Sequence, residues 1–210
     1  MAYDLEEQEQ IATFKGWWND NGTRLLAVLA AVAIAASAWQ GWRLWQASQA
    51  QQAGAQYEAL LRAAQAGDAK ALRDAGGTLV ESFPRTYYAS MGALVSARFY
   101  FDRADLKNTK VQLQWVVDRS PSDEMRDLAR LRLSAVLLDE KVYDDALALL
   151  EAKHAAPLDA QYAALKGDIL LAKGRADDAR AAYRVALEKA DKKDAAFRAS
   201  VQLRLDALGG

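Results

Sequence analysis

Cysteine is absent from this 210-residue chain, histidine occurs once and proline three times. Without a thiol there is no disulfide, no thiolate nucleophile and no cysteine metal site, and the compartment stays open, because such a chain tolerates oxidising and reducing surroundings alike. Hydrolytic and metal chemistry draws mainly on His, Cys or converging carboxylates, and the lone His154 leaves little of that repertoire. An excess of one charge is missing too: 27 Lys and Arg stand against 28 Asp and Glu overall, and 24 against 23 over residues 46–210. That balance gives no one-signed surface for nucleic acid or anionic lipid. The prolines, Pro84, Pro121 and Pro157, fall where helices should start or stop, and the sequence between them is rich in Ala, Leu, Arg, Asp and Lys.

Charge is also absent from Leu25 to Gln40, and within that gap Leu25–Ala38 (LLAVLAAVAIAASA) holds a single hydroxyl. Five of the six tryptophans flank it: Trp17, Trp18, Trp39, Trp42 and Trp45. Indole combines an apolar body with a polar N–H and gathers at membrane–water interfaces, so the pattern predicts a transmembrane helix with these five residues at its two ends. The apolar run alone is short of the roughly 20 residues a bilayer requires. Continuing to Trp45 supplies the length, with Arg43 snorkelling to the interface. Ala36-Ser37-Ala38 resembles a signal-peptide cleavage site, but the preceding tail is long and carries Asp4, Glu6, Glu7, Glu9 and Asp20 against only Lys15 and Arg24, which favours an uncleaved anchor. Lys15 and Arg24 against Arg43 put the N-terminus in the cytoplasm. The chain divides into a cytoplasmic tail (1–22), a transmembrane anchor (23–45) and a helical domain (46–210).

The fold class is all-α. Helices are expected at about 46–66, 69–82, 85–101, 105–119, 122–139, 143–153, 158–173, 176–190 and 193–208. Gly76-Gly77 is the one place where a helix is open to a break, since each Gly costs about 1 kcal/mol relative to Ala. Laying EKVYDDALALLEAK (from Glu140) over KGRADDARAAYRVA (from Lys173) gives an offset of 33, which carries Ser134 to Gly167, Lys141 to Gly174, Ala146 to Ala179 and Leu150 to Tyr183. A small residue midway along one helix, a turn, and a small residue in the next helix where the backbones cross are the tetratricopeptide positions. Ala97, Ala146, Gly167, Gly174, Ala179 and Tyr183 are therefore assigned to repeat packing. A weaker copy at an offset of 37 uses Ala97, Thr109, Leu113 and Val116, and a more degenerate pair covers about 56–101 around Pro84. A tetratricopeptide-like α-solenoid behind one transmembrane helix follows.

The acidic start with its Trp pair (Glu6 to Trp18), the single span, QLQWVVDRS (Gln112 to Ser120) and LKGDILLAKGRADDARAAYRVAL (Leu165 to Leu187) together resemble the YfgM-like ancillary subunits of the bacterial SecYEG translocon. The resemblance implies a single-pass inner-membrane protein with its C-terminal domain in the periplasm. It implies as partners the Sec translocon subunits and a membrane-anchored, prolyl-isomerase-like chaperone. A non-enzymatic scaffold assisting secreted or envelope proteins is the function expected, with an adaptor of another envelope complex, in cell division or outer-membrane biogenesis, as the alternative.

No catalytic, metal or cofactor residue is assigned, and no cofactor is expected. His154 sits just before Pro157, where a histidine commonly serves the last carbonyls of a helix. Asp144-Asp145 and Asp177-Asp178 begin helices at equivalent repeat positions and are expected to cap them. Gly167-Asp168 and Gly174 form no phosphate loop, for no strand precedes them and no GKS or GKT follows. Phe99, Tyr100 and Phe101 point in three directions on a helix, so one should face outward, and Tyr100 is taken as the possible partner-binding aromatic. Ala31, Ala35 and Ala38 would permit close approach of a second span.

Overall fold

A computed structural model describes residues 2–209; the side chains of Asp4 and Glu6, in the acidic tail, lie outside the described residues. Among the described residues there are nine α-helices and no strand. They are α1 (Ala2–Ala66), α2 (Ala69–Ser82), α3 (Tyr87–Phe101), α4 (Leu106–Arg119), α5 (Asp123–Asp139), α6 (Tyr143–Leu150), α7 (Asp159–Ala172), α8 (Ala176–Lys189) and α9 (Ala195–Asp206), with a 3-10 turn, Ala156–Leu158, before α7. The chain forms two units, Met1–Gln49 and Ala50–Gly210.

The first unit is helix alone. Its apolar side chains are exposed in every direction: Leu26 (55 %), Val32 (60 %), Ile34 (70 %). A helix apolar all round must find lipid or another helix, since about 25 cal/mol per Å² of exposed apolar surface opposes leaving it in water.

The second unit is a series of antiparallel helix pairs. Four residues take the left-handed conformation between paired helices: Gly67 (φ 73°), Ala104 (φ 56°), Lys141 (φ 65°) and Gly174 (φ 78°). At each, the residue's own N–H reaches back three positions and the next N–H reaches back five, as in Gly174 N to Leu171 O (2.9 Å) and Arg175 N to Leu170 O (2.9 Å). That is a Schellman ending, which satisfies carbonyls the helix would leave open. The four turns are spaced 37, 37 and 33 residues apart, so they close four pairs: the end of α1 with α2, α3 with α4, α5 with α6, and α7 with α8. Helix α9 covers the last pair, burying Val201 and Leu205 with Ala182, Tyr183 and Ala186 of α8.

Starts of helices are fixed as firmly as their ends. Asp68, Thr86, Asp105, Ser122 and Asp194 each accept a hydrogen bond from a first-turn N–H of α2, α3, α4, α5 and α9. Successive small cores then line the array, from Leu60, Leu72 and Leu79 in the first pair to Leu113, Val116 and Leu133 in the middle.

Three expectations change. The segment around Pro84 separates two pairs rather than lying inside a degenerate pair over 56–101. Helix α2 runs unbroken through Gly76-Gly77 because Gly76 is buried at a helix crossing: a Cβ there would lie 3.2 Å from Ser96 Oγ and 3.4 Å from Leu60 Cδ1. Close packing thus offsets the low helix propensity of glycine. Helix α6 ends at Leu150, three residues early, so His154 lies in the following loop, where its Nδ1 meets Ala152 O at 3.0 Å just past the helix end.

Candidate functional site

In the first unit, Arg24 and Arg43 are 19 residues apart, about 28 Å along a helix, which matches the hydrocarbon thickness of a bilayer. Trp17 and Trp45 are about 42 Å apart on the same scale, which matches the thickness with headgroups included. All five tryptophans of the two belts are exposed, from 43 % at Trp18 to 66 % at Trp39. Trp42 packs on Trp45 at 5.2 Å and Phe14 on Trp17 and Trp18 at 6.3 Å. The single hydroxyl of the run, Ser37, donates to Ala33 O at 2.8 Å, so it presents no unsatisfied donor to lipid.

Of the repeat residues, Gly174 forms the left-handed turn between α7 and α8, with nothing within 4 Å of where a Cβ would stand, and the others are buried where helices pack. Gly167 faces Tyr183 so closely that a Cβ would lie 2.4 Å from the ring. Tyr183 is wholly buried and donates to Asp168 Oδ1 at 2.8 Å. Ala146, Ala179 and Ala97 are buried at 0 %, 0 % and 3 %. Ser134, which the offset aligns with Gly167, donates to Ala146 O at 2.8 Å and thereby ties α5 to α6.

The titratable groups that might suggest chemistry are engaged in packing. Asp168 accepts from Tyr183 and from Arg204 Nη1 at 2.8 and 3.1 Å, linking α7, α8 and α9. Burial holds its carboxyl above the usual range, against the lowering effect of Tyr183 and Arg204. His154 stacks on Tyr162 at 3.8 Å and faces Asp159 at 3.3 Å. Tyr162 donates to Asp127 O at 2.7 Å, and burial pushes its phenol up to about 12. Asp127 itself, 4 % exposed, accepts from Ala155 N and pairs with Arg130. Asp144-Asp145 and Asp177-Asp178 do not cap by hydrogen bonding, since Val142 and Arg175 occupy the cap positions and neither side chain bonds a first-turn N–H. They supply first-turn charge and ion pairs, Asp144 to Lys173, Asp178 to Arg175 and Asp177 to Arg180.

Tyr100 is 6 % exposed, packed in the core with Phe99 and Leu60, so it cannot be the outward aromatic. That position belongs to Phe101, 39 % exposed, at the mouth of a groove of about 460 Å³ between α3 and α5. Leu94, Ala97, Arg98 and Phe101 form one wall, Arg132, Ala135, Val136 and Asp139 the other, and Thr109 and Leu113 of α4 the floor. Arg98 pairs with Asp102 at 2.8 Å. Burial and the neighbouring charge of Arg98 hold Arg132 below the usual arginine range. Sequence reading missed Arg98, Phe101, Arg132 and Asp139. For Arg98 and Phe101 the signal was their spacing with Leu94 and Ala97 along one stripe of α3; Arg132 and Asp139, on α5, had none.

Four helix pairs with Schellman turns, small residues at their crossings, a covering helix and one lipid-length apolar helix define a class: membrane-anchored tetratricopeptide-type repeat proteins. Residues 15–210 match the family model described as a tetratricopeptide repeat-like domain. The chain is 33 % identical over 213 residues to the ancillary SecYEG translocon subunit of Neisseria gonorrhoeae, covering 99 % of this chain and all of that one. It is 30 % identical over 174 residues to the protein of the same name from Haemophilus influenzae (83 % and 85 % covered) and 29 % over 208 to that of Aggregatibacter actinomycetemcomitans (99 % and 100 %). The chain belongs to the family of ancillary SecYEG translocon subunits.

Proposed function

We propose that the chain is a non-enzymatic, membrane-tethered scaffold that binds the Sec translocon and a membrane-anchored, prolyl-isomerase-like chaperone, assisting the handling of secreted or envelope proteins. It does so from the bacterial inner membrane, with the N-terminus cytoplasmic and residues 46–210 in the periplasm. The full-length likeness to proteins named as translocon subunits carries the translocon part of this reading. The chaperone comes from the family resemblance of the sequence. Lys15 and Arg24 against Arg43 support the orientation. Repeat arrays present extended grooved surfaces, and the residues that might suggest an enzyme are occupied in joining helices. The tether is part of the mechanism: confinement near a partner raises effective concentration, so a transient contact of modest affinity suffices.

Affinity purification from native membranes in mild detergent, read by mass spectrometry, tests this. The intact chain should bring down Sec subunits together with a periplasmic folding factor, and a chain ending at Gln49 should lose them. Recovery of a cell-division or outer-membrane biogenesis complex instead would transfer the scaffold to that assembly.

A further inference from the structure

We infer that residues 9–20 of α1 form an amphipathic segment that bends away from the span and lies in the membrane surface, its aromatic ridge sunk among zwitterionic headgroups. Ile11, Phe14, Trp17 and Trp18 fall within about 120° of the helix circumference, with only Gln10 among them. Glu9, Thr13, Gly16 and Asp20 fall within about 60° on the other side. Phe14 stacks on both Trp17 and Trp18 at 6.3 Å, so the ridge is one continuous apolar surface. Its members stay exposed, from 43 % at Trp18 to 61 % at Phe14.

Lipid is the occupant because the ridge runs on into the span. Arg24 marks one edge of the hydrocarbon, and headgroups extend about 5–8 Å beyond that edge. Left straight along the membrane normal, α1 would hold Trp17 about 10 Å, Phe14 about 15 Å and Ile11 about 20 Å beyond Arg24, the outer two in water. Laid in the interface, all four bury their apolar faces, and Lys15, next to Ile11 on the wheel, can carry its ammonium to the headgroups. The residues between ridge and span suit a bend, since Asn19, Asp20, Asn21 and Gly22 are weak helix formers and common in turns. The Asn21 side chain donates to Trp17 O at 3.2 Å, giving that carbonyl a partner outside the helix ladder. Gly22 leaves the space into which the Trp18 ring folds, 3.0 Å from where a Cβ would stand. Charge narrows the lipid: residues 1–24 hold five acidic side chains against Lys15 and Arg24, which disfavours an anionic surface.

The test is the full chain reconstituted dilutely in phosphatidylcholine vesicles. Because the chain has no cysteine, a single one can be placed in turn at positions 9–21 and spin-labelled, and collisions with oxygen against a water-soluble nickel complex read its depth. The expected result is a depth that oscillates with the helical period. Labels at 11, 14 and 18 should be several-fold richer in oxygen contact, relative to nickel, than those at 9, 13 and 20. Ile11→Gln/Phe14→Gln, which leaves the span and the array untouched, should abolish the oscillation by releasing the segment to water. Phosphatidylglycerol added to the vesicles should draw the ridge no deeper. Nickel contact that rises steadily from position 21 to position 9 is the signature of a straight helix standing in water and would overturn the inference. Dipolar broadening confined to the ridge and fading as lipid is added would assign it to a second copy and overturn it as well. So would an oscillation that survives the double variant, or a ridge that sinks deeper with phosphatidylglycerol.

Discussion

Gly167 is the residue on which the last repeat turns. Its missing Cβ makes room for the Tyr183 ring, whose hydroxyl reaches Asp168. Gly167→Ala forces a contact of 2.4 Å to be relieved by moving a wholly buried aromatic. Overpacking of that kind costs about 1–3 kcal/mol, so the variant should melt lower and expose α7 amides to hydrogen exchange. The neighbouring ion pair predicts a pH dependence. Because burial raises the Asp168 carboxyl, the folded chain holds that proton more tightly than the unfolded chain. Its contribution to stability is therefore fullest below the ordinary value of 3.8 and declines as pH rises through and above it. Arg204→Gln lifts the carboxyl further. It should destabilise by about 1 kcal/mol at neutral pH, with the deficit shrinking as pH falls towards about 4; urea titrations at both pH values measure it, and a deficit that grows in acid contradicts it. Gly167, Ala179 and Tyr183 were legible in the sequence because one offset aligned them with a second copy. Tyr100 misled because three consecutive aromatics cover three directions, and which of them faces out is decided by the helices packed against α3, such as the one that carries Leu60.

At the scale of elements, the turns carry the repeat more faithfully than the helices do. Gly67 and Gly174 adopt the left-handed conformation without strain, whereas Ala104 and Lys141 adopt it against the roughly 1–2 kcal/mol that a Cβ imposes. Lys141→Gly should therefore raise stability by up to about 1 kcal/mol, the relief being reduced by the greater freedom of glycine in the unfolded chain. Gly174→Ala should lower it by a similar amount; both are read from thermal melting, and a loss in Lys141→Gly would show that its side chain does more than tolerate the turn. Helix limits were legible from Pro84, Pro121 and Pro157, whose effect on the backbone is local. The limits of the first pair, at 66 and over 69–82, were legible too; its place as a full repeat unit was not, although Gly67-Asp68 and Ala104-Asp105 stand 37 residues apart with the same capping Asp. Nor was the continuity of α2, because the partner that makes Gly76 useful, Ser96, is twenty residues away in sequence and adjacent only once folded.

On the scale of the whole molecule, the proposed scaffold draws its location from an apolar helix suited to lipid or to another helix and its recognition from a repeat array with an apolar, arginine-bearing groove. The anchor was legible because a charge-free run between tryptophans reports directly on its solvent. The groove was not, because it is made of side chains from three helices that no single periodicity brings together. The central claim is that recognition resides in the array and that the span supplies proximity. Replacing residues 25–45 with an unrelated apolar span of equal length, and comparing translocon co-purification with that of the intact chain, tests it most directly. The account predicts that Sec subunits are retained by the replaced-span chain and lost by a chain ending at Gln49. Loss on replacement, with retention by the anchor alone, would place recognition in the span and contradict it.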